Sequence, residues 1–242
     1  MNKVLREILS KAKPSRGNFG EGLTLVFTPN PEQCVLAVES AEFRECLLSG
    51  DVLLPDGIGL VWAARLLGKK LERQTGADTL ERWLKKAKEE KIPTLLLGGR
   101  DGVAEHLARW YDPEGQWCWG LAGHVNVAAA SDPQYRSTVE KEEEEIFSLI
   151  KTRRPIAIFV AFGAPWQELW LCRHREQLEK LGVKQAMVCG GAFDYLAGRV
   201  KRAPTWVRSI GLEWLYRLVR EPWRWRRQLK LLKFVRLMIA KA

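Results

Sequence analysis

Short apolar runs that stop at Gly, Pro or Asn and pass at once into a helical pattern recur along the first 200 residues, and that alternation leaves few folds open. Leu23 to Thr28 is apolar and β-branched and ends at Pro29, and Pro31 to Glu39 then reads as a helix opened by proline. Asp51 to Leu54 reads as a short buried strand ahead of an apolar helix, Gly57 to Leu67, stopped at Gly68. Asp78 to Lys91 is an amphipathic helix with Leu80, Trp83, Leu84 and Ala87 on one face. Thr94 to Leu97 runs into Gly98 and Gly99 before a helix at Asp101 to Trp110. Trp117 to Leu121 is a weaker strand, and Tyr135 to Lys151 a helix with an acidic face. Ile156 to Ala161 is a strong strand, Pro165 to Lys180 a helix, and Gln185 to Cys189 a strand into Gly190 and Gly191. Strand–turn–helix units with short connections predict an α/β, Rossmann-like fold: a mostly parallel sheet with helices on both faces.

In such a sheet ligands bind beyond the carboxyl ends of the strands. That brings the corners at Thr28 to Asn30, Pro55 to Asp56, Gly98 to Arg100, Gly163 to Gln167 and Gly190 to Asp194 to one edge. Asp56 precedes an apolar helix, so it reads either as a helix cap or as a general base at a pocket mouth. Thr28 is an ordinary strand-end residue or a partner of that carboxylate. Gly98 and Gly99 are turn glycines or a place for backbone amides to approach a phosphate; they match neither G-x-G-x-x-G nor the P-loop pattern. Gln167 falls in a first helical turn, where it is either exposed or within reach of a ligand.

The charge divides the chain near residue 198. Residues 199–242 carry 13 Lys and Arg against two acidic residues, while the first 198 hold 26 basic and 27 acidic residues. Two domains are expected: a body, residues 1–198, and a basic, Trp-rich helical appendage, residues 199–242. Thr205 to Arg220 and Pro222 to Lys241 both read as helices. The first carries Leu212, Leu215, Leu218 and Val219; the second repeats Leu229, Leu232, Val235 and Ile239 among arginines and lysines. Basic, amphipathic and rich in Trp is the composition of a helix lying in an anionic membrane interface. Packing of that stripe on the protein's own core, or nucleic-acid binding by the basic face, are the competing readings; no nucleic-acid-binding module stands in the body.

Other classes are set aside. No apolar run approaches the ~18 residues of a membrane span. Met1 to Ser15 is charged and lacks the apolar core of a signal peptide, so export is not expected. The five cysteines are scattered with no C-x-x-C pair, so they read as small core residues of a reduced, cytosolic protein. The three histidines lack metal-ligand spacing.

The strongest signal is a set of motifs in order. They are Thr28-x-Asn30, Pro55-Asp56-Gly57-Ile58-Gly59, Arg73-x-x-Gly76-x-Asp78, Phe162-Gly163-x-Pro165-x-Gln167-Glu168 and Gly191-x-Phe193-Asp194. After Gly198 come Lys201-Arg202-Ala203-Pro204-x-Trp206, Leu212-Glu213-Trp214-x-Tyr216-Arg217-Leu218 and Glu221-Pro222. From about Thr24 to Arg227 the chain resembles the WecG/TagA/CpsF glycosyltransferases, glycosyltransferase family 26. It departs from their pattern at Trp166, where Lys is usual, and in a stretch around Glu179 to Lys184 that is longer.

The resemblance implies a GT-E scaffold and an inverting, metal-independent transfer without a cofactor. The sugar moves from a UDP-sugar to a polyprenyl-diphosphate-linked acceptor. It implies Asp56 as base with Thr28 as helper. Asn30, Arg73, Gly98, Gly99, Tyr135, Gln167 and Asp194 become candidates for substrate binding, and Arg217, Arg224 and Arg227 for the lipid pyrophosphate. Such a protein would sit in the cytoplasm, peripheral on the inner face of the cell membrane through residues 205–241, with no nucleic-acid partner. Trp62, Trp110 and Trp170 are candidates for core or for contacts in a homo-oligomer. Two rivals remain: a non-catalytic membrane or nucleic-acid adaptor with a vestigial nucleotide-binding body, and a nucleotide-dependent oxidoreductase, against which the missing glycine fingerprint argues.

Overall fold

A computed structural model describes residues 1–12, 22–123, 133–209, 211–220, 222 and 225–239; the side chains of 133–137, 209 and 226–228 lie outside that description. The elements run α1 (Lys3–Lys11), β1 (Thr24–Phe27), α2 (Pro31–Glu39), α3 (Ala41–Ser49), β2 (Val52–Leu53), α4 (Ile58–Leu66), α5 (Gly76–Glu90), β3 (Thr94–Gly98) and α6 (Val103–Tyr111). There follow β4 (Cys118–Leu121), α7 (Pro133–Arg153), β5 (Ala157–Ala161), α8 (Trp166–Arg173), α9 (Arg175–Lys180), β6 (Gln185–Val188) and α10 (Ala192–Leu196). The last three helices are α11 (Thr205–Ser209), α12 (Glu213–Arg220) and α13 (Trp225–Ile239).

The strands form one sheet in the order β2-β1-β6-β5-β3-β4, and every pairing is parallel. Both faces are covered, and alternation along each strand divides the core in two. Leu25, Phe27, Leu95, Leu97, Ile158, Val160, Ala186 and Val188 pack with the apolar sides of α1 to α4, α7, α8 and α9. Val26, Leu96, Phe159, Ala161 and Met187 turn the other way, against α5, α6 and α10. The α/β expectation therefore holds, with every carboxyl strand end on one edge.

Several local expectations change. The helix read over Pro165 to Lys180 is two helices meeting at His174. That read over Thr205 to Arg220 is also two, parted around Gly211, whose φ of +79° is open to glycine but costly to other residues. The cysteine reading is corrected. Cys34, Cys118 and Cys189 are free and buried, but a disulfide joins Cys46 to Cys172, 126 residues apart, because α3 lies beside α8. Trp170 is in the core, while Trp62 and Trp110 are exposed.

The C-terminal helices divide their apolar residues between two surroundings. Phe234 of α13 is 2% exposed and joins the core, with Leu237 and Met238 partly buried beside it. A Cβ placed on Gly59 would come 2.8 Å from Pro31 Cγ and 3.2 Å from Phe234 Cε1, so Phe234 sits between α2 and α4. Lys233 pairs with Glu39, and the Asn2 N–H donates to Leu237 O. The stripe read from sequence faces outward instead: Leu229, Leu232, Val235 and Ile239 are all exposed, as are Trp206, Trp214, Leu215, Val219 and Trp225. Among the described residues no helix is long and apolar enough to cross a membrane.

Candidate active site

Backbone hydrogen bonds place Asp56. Its N–H donates to Pro29 O (3.0 Å), Leu54 N–H to Phe27 O (2.8 Å) and Gln74 N–H to Pro55 O (3.1 Å). The corners after β1 and β2 and the loop leading into α5 are thereby joined side by side. Gly57, at φ +93°, is the residue at the cap position of α4, and no side chain caps that helix. Asp56 does not cap α4. Its carboxyl interacts with the Gly76 N–H in the first turn of α5, where unpaired amides favour an anion.

The Asp56 carboxyl lies deep although the residue keeps some surface. Burial pushes its pKa up to about 6; Arg73 and the Gly76 amide pull it down, and Glu213 and Asp78 push it up. Thr28, 7% exposed, stands next to it in the fold. A Cβ built on Gly76 would lie 3.5 Å from Thr28 Cγ2 and 3.8 Å from Cys189 O, so the ends of β1 and β6 and the start of α5 converge.

Arginines reach this edge from two sides. Arg73 comes from the loop before α5. Arg217 comes from α12: its guanidinium lies 3.4 Å from where a Cβ on Gly191 would stand and 5.0 Å from the Tyr195 ring. Asp194, in the first turn of α10, is half-buried on the same corner. A carboxylate near neutrality beside guanidinium groups can accept a proton while the arginines hold phosphate.

Other candidates occupy internal positions. Asn30 caps α2: its side-chain oxygen accepts the Gln33 N–H (3.1 Å) and Gln33 Oε1 accepts the Asn30 N–H (3.2 Å). Gln167 does lie in the first turn of α8, and it is buried rather than exposed. It is 2% exposed; Oε1 accepts the Gly163 N–H and Nε2 donates to Glu168 Oε1. Gln33 Nε2 donates to the same Glu168 oxygen at 2.6 Å, while Glu168 Oε2 is buried with no hydrogen-bond partner among the described residues. Burial pushes the Glu168 pKa up to about 7, with Gln167 and Gln33 pulling it back. Gly98 and Gly99 have a packing cause. Both have positive φ, and a Cβ would come 2.7 Å from Phe162 Cδ1 at Gly98 and 2.2 Å from Val103 Cγ1 at Gly99. Tyr135, Arg224 and Arg227 lie outside the described side chains.

Sequence reasoning gave no role to Asp78, Arg202, Arg208 or Glu213. All four join Arg73 in one ion network beside Asp56. Their motifs were visible, but pairs separated by up to 140 positions carry no pairwise signal in one sequence. Among the described residues, no group of three or more His, Cys, Asp or Glu is arranged to hold a metal ion.

A deep carboxylate met by arginines at the carboxyl edge of a parallel sheet defines an α/β enzyme suited to a phosphorylated substrate. Comparison with known proteins narrows the class. The sequence model described as the glycosyl transferase WecG/TagA/CpsF family matches residues 1–242, and the chain belongs to that family of glycosyltransferases. It is 32% identical over 213 residues to an N-acetylglucosaminyldiphosphoundecaprenol N-acetyl-beta-D-mannosaminyltransferase of Bacillus subtilis, covering 87% of this chain and 77% of the relative. It is 34% identical to the protein of the same name in Bacillus spizizenii, covering 87% and 76%.

Proposed function

We propose that this chain is an inverting transferase that moves N-acetylmannosamine, or a related hexose, from a UDP-sugar to a polyprenyl-diphosphate-linked sugar in surface-polymer synthesis. The carrying observation is the Asp56 carboxyl, raised to about 6 by burial, with Arg73 acting on it, at the carboxyl edge of the sheet. The names of the two Bacillus relatives support the acceptor class. In this reading an acceptor hydroxyl attacks the anomeric carbon from the face opposite UDP. Asp56 takes the hydroxyl proton as the new C–O bond forms, and the old C–O bond breaks with its electron pair leaving on UDP. Thr28 borders the base. Arg217 meets the lipid pyrophosphate of the acceptor, and the amides around Gly190 and Gly191 meet the phosphate charge that grows as UDP departs.

The outward apolar faces of α12 and α13, with arginines between them, support docking on the anionic inner face of the cell membrane, where a polyprenyl acceptor resides. The test is UDP release from UDP-N-acetylmannosamine with a short-chain polyprenyl-diphospho-N-acetylglucosamine. Turnover should depend on the acceptor and fall about 10²- to 10⁴-fold in Asp56→Asn. Full turnover by that variant overturns the assignment of the base, and absence of both UDP binding and turnover favours the adaptor reading.

A further inference from the structure

The ion network beside Asp56 links the body to α11 and α12. Arg73 donates from Nη1 to Arg208 O (3.0 Å) and from Nη2 to Glu213 Oε2 (2.5 Å). Arg202 Nε lies 3.4 Å from Glu213 Oε1, and the same guanidinium donates to Asp78 Oδ1 (2.6 Å) and Thr75 Oγ1 (3.1 Å). Arg208 Nη1 stands 3.5 Å from Asp78 Oδ1. The side chains of Arg73, Glu213 and Arg202 are 20%, 17% and 19% exposed, so solvent screens them poorly.

Asp56 has no ion-pair partner within 4 Å among the described residues, although Arg73 is the cation that acts on it. The charged groups facing it are Arg73, Glu213 and Asp78, with the Gly76 N–H. The Gln74 N–H to Pro55 O bond (3.1 Å) holds the residues next to Arg73 and Asp56 side by side; Arg73 acts on Asp56 of the body while its Nη2 is given to Glu213 of α12. Its Nε is buried with no hydrogen-bond partner among the described residues, so the guanidinium retains a donor that a second carboxylate could take.

We propose that Glu213 is a positioning residue of the transfer reaction: by holding Arg73 it keeps that guanidinium from pairing with Asp56, so the base stands free only while α12 is seated on the body. This rests on the reading of Asp56 as the base. Once Glu213 lets go, two effects act with one sign. A nearby like charge is lost and an opposite charge can close on Asp56, and both make the carboxylate a weaker base. Seating of the C-terminal helices and readiness of the base would then be one event.

The test uses the full chain, with two readouts for Glu213→Gln: the pH profile of kcat/KM, and a titration of the Asp56 carboxyl by carbon-13 NMR. The Asp56 midpoint and the acid limb should both move down by about one pH unit, with a lower plateau rate. The Arg73→Gln/Glu213→Gln double variant should bring the Asp56 midpoint back toward that of the unaltered protein. An unmoved midpoint in Glu213→Gln overturns the inference, as does a double variant that matches the single one. A Glu213 that acted by its charge alone would leave the midpoint unmoved in Glu213→Asp, which keeps the charge, and that result also overturns the inference. Should Glu213→Gln fail to fold, Glu213→Asp keeps the charge but shortens its reach, and its midpoint must still move down. Retained turnover in Asp56→Asn removes the base assignment separately, since the NMR titration needs no turnover.

Discussion

Truncating Phe234 tests how the last helix is held. Its ring is 2% exposed between α2 and α4, close against Pro31 and Gly59. Phe→Ala at such a site costs about 3–5 kcal/mol where the surroundings cannot collapse. The other ties are weaker. The Lys233–Glu39 pair, with side chains 60% and 45% exposed, is worth about 0–1 kcal/mol. The Asn2–Leu237 backbone bond adds about 1 kcal/mol. Phe234→Ala should therefore release α13 while the sheet stays folded. Native-state hydrogen exchange reads this directly: a loss of about 3 kcal/mol makes exchange in α13 about a hundredfold faster, with the β5 amides Ile158 to Val160 little changed. Equal loss of protection in α13 and β5 would refute the picture of a docked helix with one main anchor. No change in either would show that Phe234 anchors nothing.

The pH dependence of turnover should show the Asp56 carboxyl. Its pKa is raised to about 6 and a base works ionised, so kcat/KM should be flat above that value and fall tenfold per unit below it; an acid limb near 4 would contradict the burial argument. Glu168 is raised from 4.5 to about 7, so its contribution to stability is complete below 4.5 and is lost as pH rises through 7. Between those values stability should fall by up to about 1.4 kcal/mol per pH unit, and Glu168→Gln should flatten that slope in urea titrations; an unchanged slope would clear Glu168. Gly120→Ala would put a Cβ 2.3 Å from the Ala104 carbonyl, forcing α6 off β4, and should lower stability by about 2 kcal/mol or more. An unchanged urea midpoint would show that the contact yields.

Where the signal was local, the sequence was readable. Asn30, Pro31 and Gln33 form a complete helix start, and α2 runs from Pro31 to Glu39 as read. The strands fall within a residue or two of expectation because each apolar run ends at a Gly, Pro or charged corner. Gly211 stands inside the Thr205 to Arg220 pattern, but one glycine within an apolar stripe does not by itself announce a break. The turn at His174 has no Gly or Pro to announce it. Helix α3 was not read, since its buried Phe43, Cys46 and Leu47 sit among charged residues in a short segment.

Long-range pairings were the larger gap. Neither the Cys46–Cys172 bond nor the Arg73–Glu213 contact leaves a trace in spacing, because each depends on which helices the sheet order makes neighbours. The second apolar face of α13 was hidden for a related reason. A helix that serves two surfaces gives two overlapping periodicities, and the outward one was the more regular. Asp56 was identified as a candidate, but removal of the reading as the cap of α4 rested on Gly57 at the cap position with φ +93°, a backbone fact that a sequence does not print.

The placement of tryptophans makes the protein its own optical probe. Trp117 and Trp170 are enclosed in the core, whereas Trp206, Trp214 and Trp225 are 68%, 42% and 55% exposed along the C-terminal helices. Emission therefore comes as two populations, an enclosed, blue one and an exposed one that also includes Trp62 and Trp110 of the body; within the second, the three C-terminal tryptophans respond to whatever lies against α11 to α13. Acrylamide or iodide would reach the second and spare the first. Any surface that covers those helices becomes visible without a label.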